Sequence, residues 1–163
     1  MTGKITVDYQ IALDESEAQA TYIPNTSLVE SWVCAAIQQN KNSTELQLSV
    51  RIVDSEEITQ LNEKYRKIKK ATNVLSFPYE PLPGIDVPLL GDIVICAAVV
   101  ENEAKQQNKT PEQHWAHMVI HGVLHLQGYD HADDLGAEQM ESLEINILKN
   151  LGFPNPYGEE FTS

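Results

Sequence analysis

The stretch TPEQHWAHMVIHGVLHLQGYDH, residues 110–131, contains all five histidines of this 163-residue chain. Its first residues predict a helix start, because Thr110 is a favourable N-cap, Pro111 suits the first helical position and Gln113 can complete a capping box. Apolar side chains occupy most of the helical wheel that follows, and histidine forms its main polar stripe. The stretch therefore predicts a buried helix in the C-terminal half of the chain.

Three of these histidines are spaced to meet at one point. On a helix, His121 and His125 lie about 40° apart around the axis and about 6 Å apart along it. Gly128 can adopt the left-handed conformation that ends a helix, and the following turn can bring His131 back toward the same point. Three imidazoles are a common zinc donor set, and they leave one coordination position open for water. We therefore predict one zinc ion per chain, bound by His121, His125 and His131 in a site open to chemistry.

The other polar residues of this stretch are predicted to support the ligands. His114 and His117 fall on the same side of the helix, where they can hydrogen-bond a ligand, face the substrate or simply be exposed. Asp130 precedes the third ligand, but the sequence does not give the direction of its carboxylate. We predict that His117 and Asp130 either support the metal ligands by hydrogen bonds or face the substrate. Any single histidine is more often an ordinary core or surface residue, so the prediction rests on the combined pattern.

The rest of the chain mixes predicted strands with predicted helices. Alternating or short β-branched apolar runs predict four strands, in KITVDYQI, ELQLSVRIVD, NVLSFP and GDIVIC. Helical spacing predicts helices from Ser27, after Asp54, through AAVVENEAKQQN and after Asp133 or Asp134, and the acidic DESEAQATY is interpreted as a loop. The expected fold is α/β (α+β), a single domain over residues 1–163 with a small mixed sheet of about four strands surrounded by about five helices.

The helix after the second strand ends in basic residues. Asp54 and Glu57 resemble a capping box at its start, and its buried side is predicted to carry Ile58, Leu61 and Tyr65. KYRKIKK, residues 64–70, follows at its end.

That basic segment is an exception in an acidic chain. The formal net charge is −13, which on average repels nucleic acid and membrane surfaces. Five of the 11 basic residues nevertheless lie in this segment: Lys64, Arg66, Lys67, Lys69 and Lys70. The cluster is either an RNA-binding surface or the solvated end of a helix.

The chain begins without a secretory signal and contains no apolar run of membrane-spanning length. We expect a cytoplasmic protein that binds neither membranes nor DNA. Cys34 and Cys96 lack CxxC spacing and lie in apolar surroundings, so we expect buried free thiols.

The histidine pair borders on the HExxH pattern of zinc peptidases, but Gly122 occupies the position of their general base. A closer resemblance lies elsewhere. HGVLHLQGYDH resembles the signature of the YbeY family of metal-dependent endoribonucleases. LNEKYRKIKKATNVLSFP is similar to the second block of that family and GDIVI to its third, and acidic residues of the last helix follow in the expected place, namely Glu138, Glu141 and Glu144.

This resemblance implies a set of roles. His121, His125 and His131 would be zinc ligands, and Arg66 the essential arginine of the substrate channel. The implied activity is single-strand-specific, metal-dependent cleavage of RNA in 16S rRNA 3′-end maturation and ribosome quality control. RNA and ribosomal or small-subunit assembly proteins would be the partners.

Two residues of this chain depart from the YbeY pattern. The family often has glycine after the arginine and proline before the threonine, where this chain has Lys67 and Ala71.

Two alternative functions are open, namely a zinc-dependent hydrolase of a peptide or amide, and a non-catalytic ribosome-assembly factor with structural zinc. If the protein is a ribonuclease, the nucleophile is either a metal-activated water or the 2′-hydroxyl of the RNA.

Overall fold

The computed structural model describes residues 5–37, 45–80, 89–129 and 133–157. Within those ranges the chain forms four strands and six helices. In chain order these are β1 (Ile5–Ile11), α1 (Glu15–Ala20), α2 (Thr26–Ala36), β2 (Leu46–Val53), α3 (Ser55–Arg66), β3 (Val74–Pro78), β4 (Leu89–Cys96), α4 (Ala97–Gln106), α5 (Pro111–Leu126) and α6 (Asp134–Asn150). The predicted fold class is confirmed, with one helix more than expected.

The four strands form one mixed sheet in the order β1-β2-β4-β3. β1, β2 and β4 are parallel, and β3 runs antiparallel to β4 with Ser76 opposite Ile93. Helices α1 and α2 lie between β1 and β2 in the chain, and α3 and β3 lie between β2 and β4, so both parallel pairs have the long connections that parallel pairing requires. β3 is therefore an edge strand next to a central one.

The two faces of the sheet bury different clusters. Ile93 and Ile95 of β4 join the larger cluster, which contains residues of α2, α5 and α6, whereas Val94 and Cys96 join a smaller one with Ile58 of α3. This alternation follows from the period of two along a strand. The larger cluster places α5 against β3 and β4, so residues on the exposed side of α5 lie beside the edge of the sheet.

Helix α5 forms as its sequence predicts. Thr110 accepts a hydrogen bond from the Gln113 backbone N–H, and the Gln113 side chain accepts one from the backbone N–H of Thr110. Eleven of its 16 residues are buried. At its end, Gly128 has φ 99°, and the N–H of Tyr129 donates to Leu124 across the turn at 3.1 Å. These are the contacts of a Schellman motif, so the predicted glycine stop is confirmed.

The segment interpreted as a loop is helical. Asp14 caps α1 by accepting a hydrogen bond from the Glu17 N–H at 2.7 Å, and Glu15 and Glu17 place negative charge in the first turn. None of the residues of α1 is buried. Because an apolar stripe was the criterion for a helix, this short helix was missed.

Three side-chain predictions also need correction. Tyr65 is 56% exposed at the end of α3, where its ring contacts Phe77 of β3 but is not enclosed. Cys34 is exposed, although Cys96 is buried and both are free thiols. Asp54 caps α3 by accepting from the Glu57 N–H, but the Glu57 carboxylate binds Arg51 at 2.8 Å. That carboxylate is therefore occupied by an ion pair.

Among the described residues, no helix combines the length and the apolar content needed to cross a bilayer.

Candidate metal centre

His121 and His125 meet on the exposed side of α5. Their Nε2 atoms are 3.1 Å apart. Two zinc–nitrogen bonds of normal length at a tetrahedral angle would place the two nitrogens about 3.3 Å apart. The pair therefore fits a shared ion. His131 and Asp130 lie outside the described residues, so the third ligand remains a prediction.

Glu144 of α6 holds the ring of His121 from behind. Its Oε2 is 2.6 Å from His121 Nδ1 and 3.3 Å from His117 Nε2, and its Oε1 accepts a hydrogen bond from the Tyr157 hydroxyl. A neutral imidazole carries one N–H, and donation of that N–H from Nδ1 makes Nε2 the nitrogen able to bind a metal. The carboxylate thus orients His121 toward His125.

His117, His121 and Glu144 form a second group that could hold a metal ion. Their ligand atoms all lie within 4.8 Å of one another. The 2.6 Å between His121 Nδ1 and Glu144 Oε2, however, is shorter than the separation of about 3.3 Å expected between two ligands of a tetrahedral ion, and it fits a charge-assisted hydrogen bond. We therefore assign the Nε2 atoms of His121 and His125 as the better candidate metal ligands. Glu144 and His117 are assigned to the groups that support these ligands.

The buried groups around Glu144 have perturbed pKa values. Burial alone would raise the pKa of Glu144, but hydrogen bonds from His117 and His121 lower it below the ordinary value of 4.5. Burial lowers the pKa of His117, and burial together with the adjacent Glu144 raises the pKa of Tyr157. At neutral pH the carboxylate is ionised and the phenol protonated, so Tyr157 donates and Glu144 accepts.

A cleft of about 610 Å³ lies in front of the histidine pair. Its walls come from the end of α3, from β3 and from α5. They are lined by Tyr65, Arg66, Thr72, Asn73, Val74, Leu75, Ser76, Phe77, His121 and His125. The structure thus brings Arg66 into the same cleft as the two histidines, although it lies far from them in sequence.

Residues 10–152 match the family model described as endoribonuclease YbeY. The chain belongs to the endoribonuclease YbeY family. A similar solved structure, TM1509 from Thermotoga maritima, is 26% identical, with 90% of this chain and 91% of that chain covered at a TM-score of 0.49. Membership of the YbeY family supports a nuclease enzyme that acts on RNA.

The predicted substrate-binding lysines are less closely associated with the cleft. Lys64, Lys67, Lys69 and Lys70 are all exposed around the end of α3, and none is among the described residues that line the cleft. The Asn62 side chain donates to the Lys70 carbonyl at 2.8 Å and anchors the segment. The lysines can attract an anionic ligand to the approach, whereas Arg66 is the cation inside the cleft.

Lys67 stands where the YbeY pattern often has glycine, and it adopts the backbone conformation of a glycine. It caps α3 with φ 62° and ψ 26°, the left-handed conformation that glycine adopts most easily. Its backbone N–H donates to Asn62 and Glu63. This chain therefore retains the turn after Arg66 with a residue that adopts it less readily.

Gly122 separates this site from that of a peptidase. A Cβ at this position would lie 3.0–3.3 Å from three side-chain atoms of Ile93. A glutamate here would point into the core against β4 and away from the histidine pair. The general base of an HExxH site is therefore absent here, and a side chain at this position would require Ile93 to shift.

A second hydrogen-bond network supports the cleft wall. His114 is 2% exposed, and its Nε2 lies 2.7 Å from Glu103 Oε1. Asn73, which lines the cleft, donates its side-chain N–H to the same oxygen at 3.1 Å. His114 thus joins α5 to α4 and, through Glu103, to the start of β3. The role of His114 is therefore structural, and it lies apart from the proposed metal ligands.

Sequence reasoning missed the orienting roles of Glu144 and Tyr157. For Glu144 a signal exists, because it lies four residues after Met140 and three before Ile147, on the buried stripe of α6. An acidic residue on such a stripe needs buried donors. Tyr157 lies after the end of α6, and its position in the sequence gives no comparable sign of a buried polar contact.

Proposed function

We propose that this protein is a zinc-dependent, single-strand-specific endoribonuclease that acts in 16S rRNA 3′-end maturation and ribosome quality control. Its partners would be RNA and ribosomal or small-subunit assembly proteins in the cytoplasm. The observation that carries the proposal is the convergence of Arg66 with His121 and His125 in one cleft. Membership of the endoribonuclease YbeY family supports the same reaction class.

The proposed metal ligands are His121, His125 and His131. When bound there, zinc would polarise a phosphoryl oxygen or lower the pKa of a water toward about 7. Glu144 contributes by accepting the N–H of His121 Nδ1 and thereby presenting Nε2 to the cleft.

Arg66 is the proposed catalytic cation. Its planar guanidinium offers paired N–H donors to two oxygens of one phosphate, and these bonds strengthen as negative charge develops in the transition state. Lys64, Lys67, Lys69 and Lys70 would attract the RNA backbone toward the cleft, which an overall charge of −13 otherwise opposes.

A cleavage assay tests the proposal. Zinc-loaded protein, prepared free of other ribonucleases, is incubated with an end-labelled single-stranded RNA. We expect cleavage that falls about a hundredfold in Arg66→Ala, the loss seen when a transition-state donor is removed. The chain offers a matched control, because Arg51 is its other arginine and lies in an ion pair with Glu57. Arg51→Ala should cleave at the wild-type rate.

The other outcomes distinguish the alternatives. Absence of cleavage by the wild-type protein, with RNA still bound, would favour a non-catalytic assembly factor. Normal cleavage by zinc-loaded Arg66→Ala would remove this residue from the mechanism. Replacement of the 2′-hydroxyl at the cleaved nucleotide by hydrogen separates the two nucleophiles, since attack by water survives the change and attack by the 2′-hydroxyl does not.

A further inference from the structure

Tyr65 is an exposed aromatic residue inside the candidate cleft. Its side chain is 56% exposed, and it precedes Arg66 at the end of α3. Four other large apolar residues are comparably exposed in the described part of the chain: Ile11, Ile68, Leu89 and Leu135. Tyr65 is the member of this group that lines the cleft with His121 and His125.

The ring is held in place from the side. Phe77 of β3 contacts it edge to face, with ring centroids 5.0 Å apart and an interplanar angle of 62°. Such an arrangement is a favourable geometry for an aromatic pair. Since Phe77 belongs to the sheet, Tyr65 is supported by a second element while it remains half exposed in the cleft.

Cationic side chains lie close to Tyr65, and that of Lys64 lies over its ring. Lys64 Nζ lies 5.2 Å from the ring centroid, and Arg66 is the next residue along the helix. A half-exposed ring that shares a cleft with Arg66 and has a mobile lysine over it matches one nucleotide of a single strand, in which the base displaces the lysine and stacks on the ring while the phosphates pair with the cations. A base inside a duplex is already stacked and paired, and cannot occupy the ring in this way.

We propose that Tyr65 is a specificity-determining residue whose ring stacks on a nucleobase of single-stranded RNA next to the phosphate bound at Arg66. The inference rests on the proposed function and extends it by naming the feature that would select single strands. The position of a half-exposed aromatic ring within a basic segment of an acidic chain provides the charge complementarity for this ligand.

Binding and cleavage are measured separately. Binding uses the fluorescence anisotropy of a labelled oligoadenylate 12-mer whose 2′-O-methyl groups prevent attack by the 2′-hydroxyl, and cleavage uses the corresponding unmodified RNA. Tyr65→Leu and Tyr65→Ala should weaken binding about tenfold, the loss expected for one stacked base. Their KM should rise in parallel, with kcat changed less than about twofold. Tyr65→Phe retains the ring and should behave as wild type.

Two controls exclude a merely structural role. Ile11→Ala removes a comparably exposed apolar side chain from β1, at the opposite edge of the sheet, and should leave binding unchanged. The ratio of single-strand to duplex affinity should fall in Tyr65→Ala, because only the single strand loses a stacked base. A general loss of folding would reduce both affinities equally.

Wild-type affinity in Tyr65→Leu, or a loss in Tyr65→Phe equal to that in Tyr65→Ala, would overturn the inference. The proposed function fails by a different result, namely an oligonucleotide that the wild type binds but never cleaves as unmodified RNA. In that case the affinities of the wild type and the Tyr65 variants for the oligonucleotide still test the role of Tyr65. Absence of any binding by the wild type would contradict both.

Discussion

Replacement of Glu144 by glutamine tests the arrangement of the candidate metal centre. Glu144→Gln retains the shape of the side chain but removes the charge from a residue that is 0% exposed. The carboxylate accepts hydrogen bonds from His117, His121 and Tyr157. Only an acceptor without hydrogens can satisfy all three donors, and a glutamine amide presents N–H groups to at least one of them.

The expected losses can be estimated from these contacts. A hydrogen bond to a charged group contributes about 1 kcal/mol more than a neutral one, so three of them give a loss of about 3 kcal/mol in the free energy of unfolding. For a domain of this size, that loss lowers Tm by roughly 9 °C. Loss of an orienting partner behind a ligand typically weakens metal binding by about 10-fold to 100-fold.

Zinc affinity is measured by competition with a chromophoric chelator, and Tm by circular dichroism of the metal-free protein. Glu141→Gln serves as the control, because Glu141 is exposed on the same helix. If Glu144→Gln loses as much zinc affinity as His125→Ala, Glu144 is itself a ligand and the group of His117, His121 and Glu144 is the metal site. If zinc affinity does not change, the hydrogen bond to His121 has no orienting role.

Three further changes test the fold around the cleft. Lys67→Gly should raise the free energy of unfolding by about 0.5–1 kcal/mol in urea titrations, since φ is 62° there, and an equal gain in Lys67→Ala would refute this reason. Burial would raise the pKa of Glu103, but hydrogen bonds, chiefly from His114, lower it below 4.5, so stability present above pH 4.5 is lost as the pH falls through the folded-state pKa. Glu103→Gln should therefore flatten the acid side of the stability profile, and an unchanged slope would contradict this assignment. Gly91→Ala should lower the free energy of unfolding by about 3 kcal/mol or more, because its Cβ would clash with the backbone oxygen of Phe77 and lie 2.9 Å from Pro78 Cα, whereas Gly152→Ala meets nothing within 4 Å and should lower it by about 1 kcal/mol in the same titrations.

Local signals were sufficient to predict the central helix of the site. The capping box at Thr110, the apolar wheel of α5 and the glycine stop at Gly128 each depend on residues within one or two turns. The convergence of His121 and His125 follows from helical geometry alone. For the same reason the spacing of apolar residues was enough to predict all four strands.

Contacts between distant segments could not be predicted in this way. Arg66 reaches the cleft because β3 pairs with β4 at the edge beside α5, and periodicity does not give the strand order. Tyr65 occupies an apolar position of α3, but whether another element covers that position depends on the tertiary structure. The hydrogen bond from His121 to Glu144 likewise requires α6 to pack against α5.

The direction of α5 affects the electrostatic potential at the cleft. The peptide dipoles of its 16 residues align, which gives about half a positive charge at the capped start and about half a negative charge at the other end. His121 and His125 lie in the last two turns, near the negative end. A cation there gains roughly 0.3–2 kcal/mol from the macrodipole, while an anion at the same place is repelled. The backbone of α5 therefore favours any cation at this end, and selection among cations is left to the imidazole nitrogens.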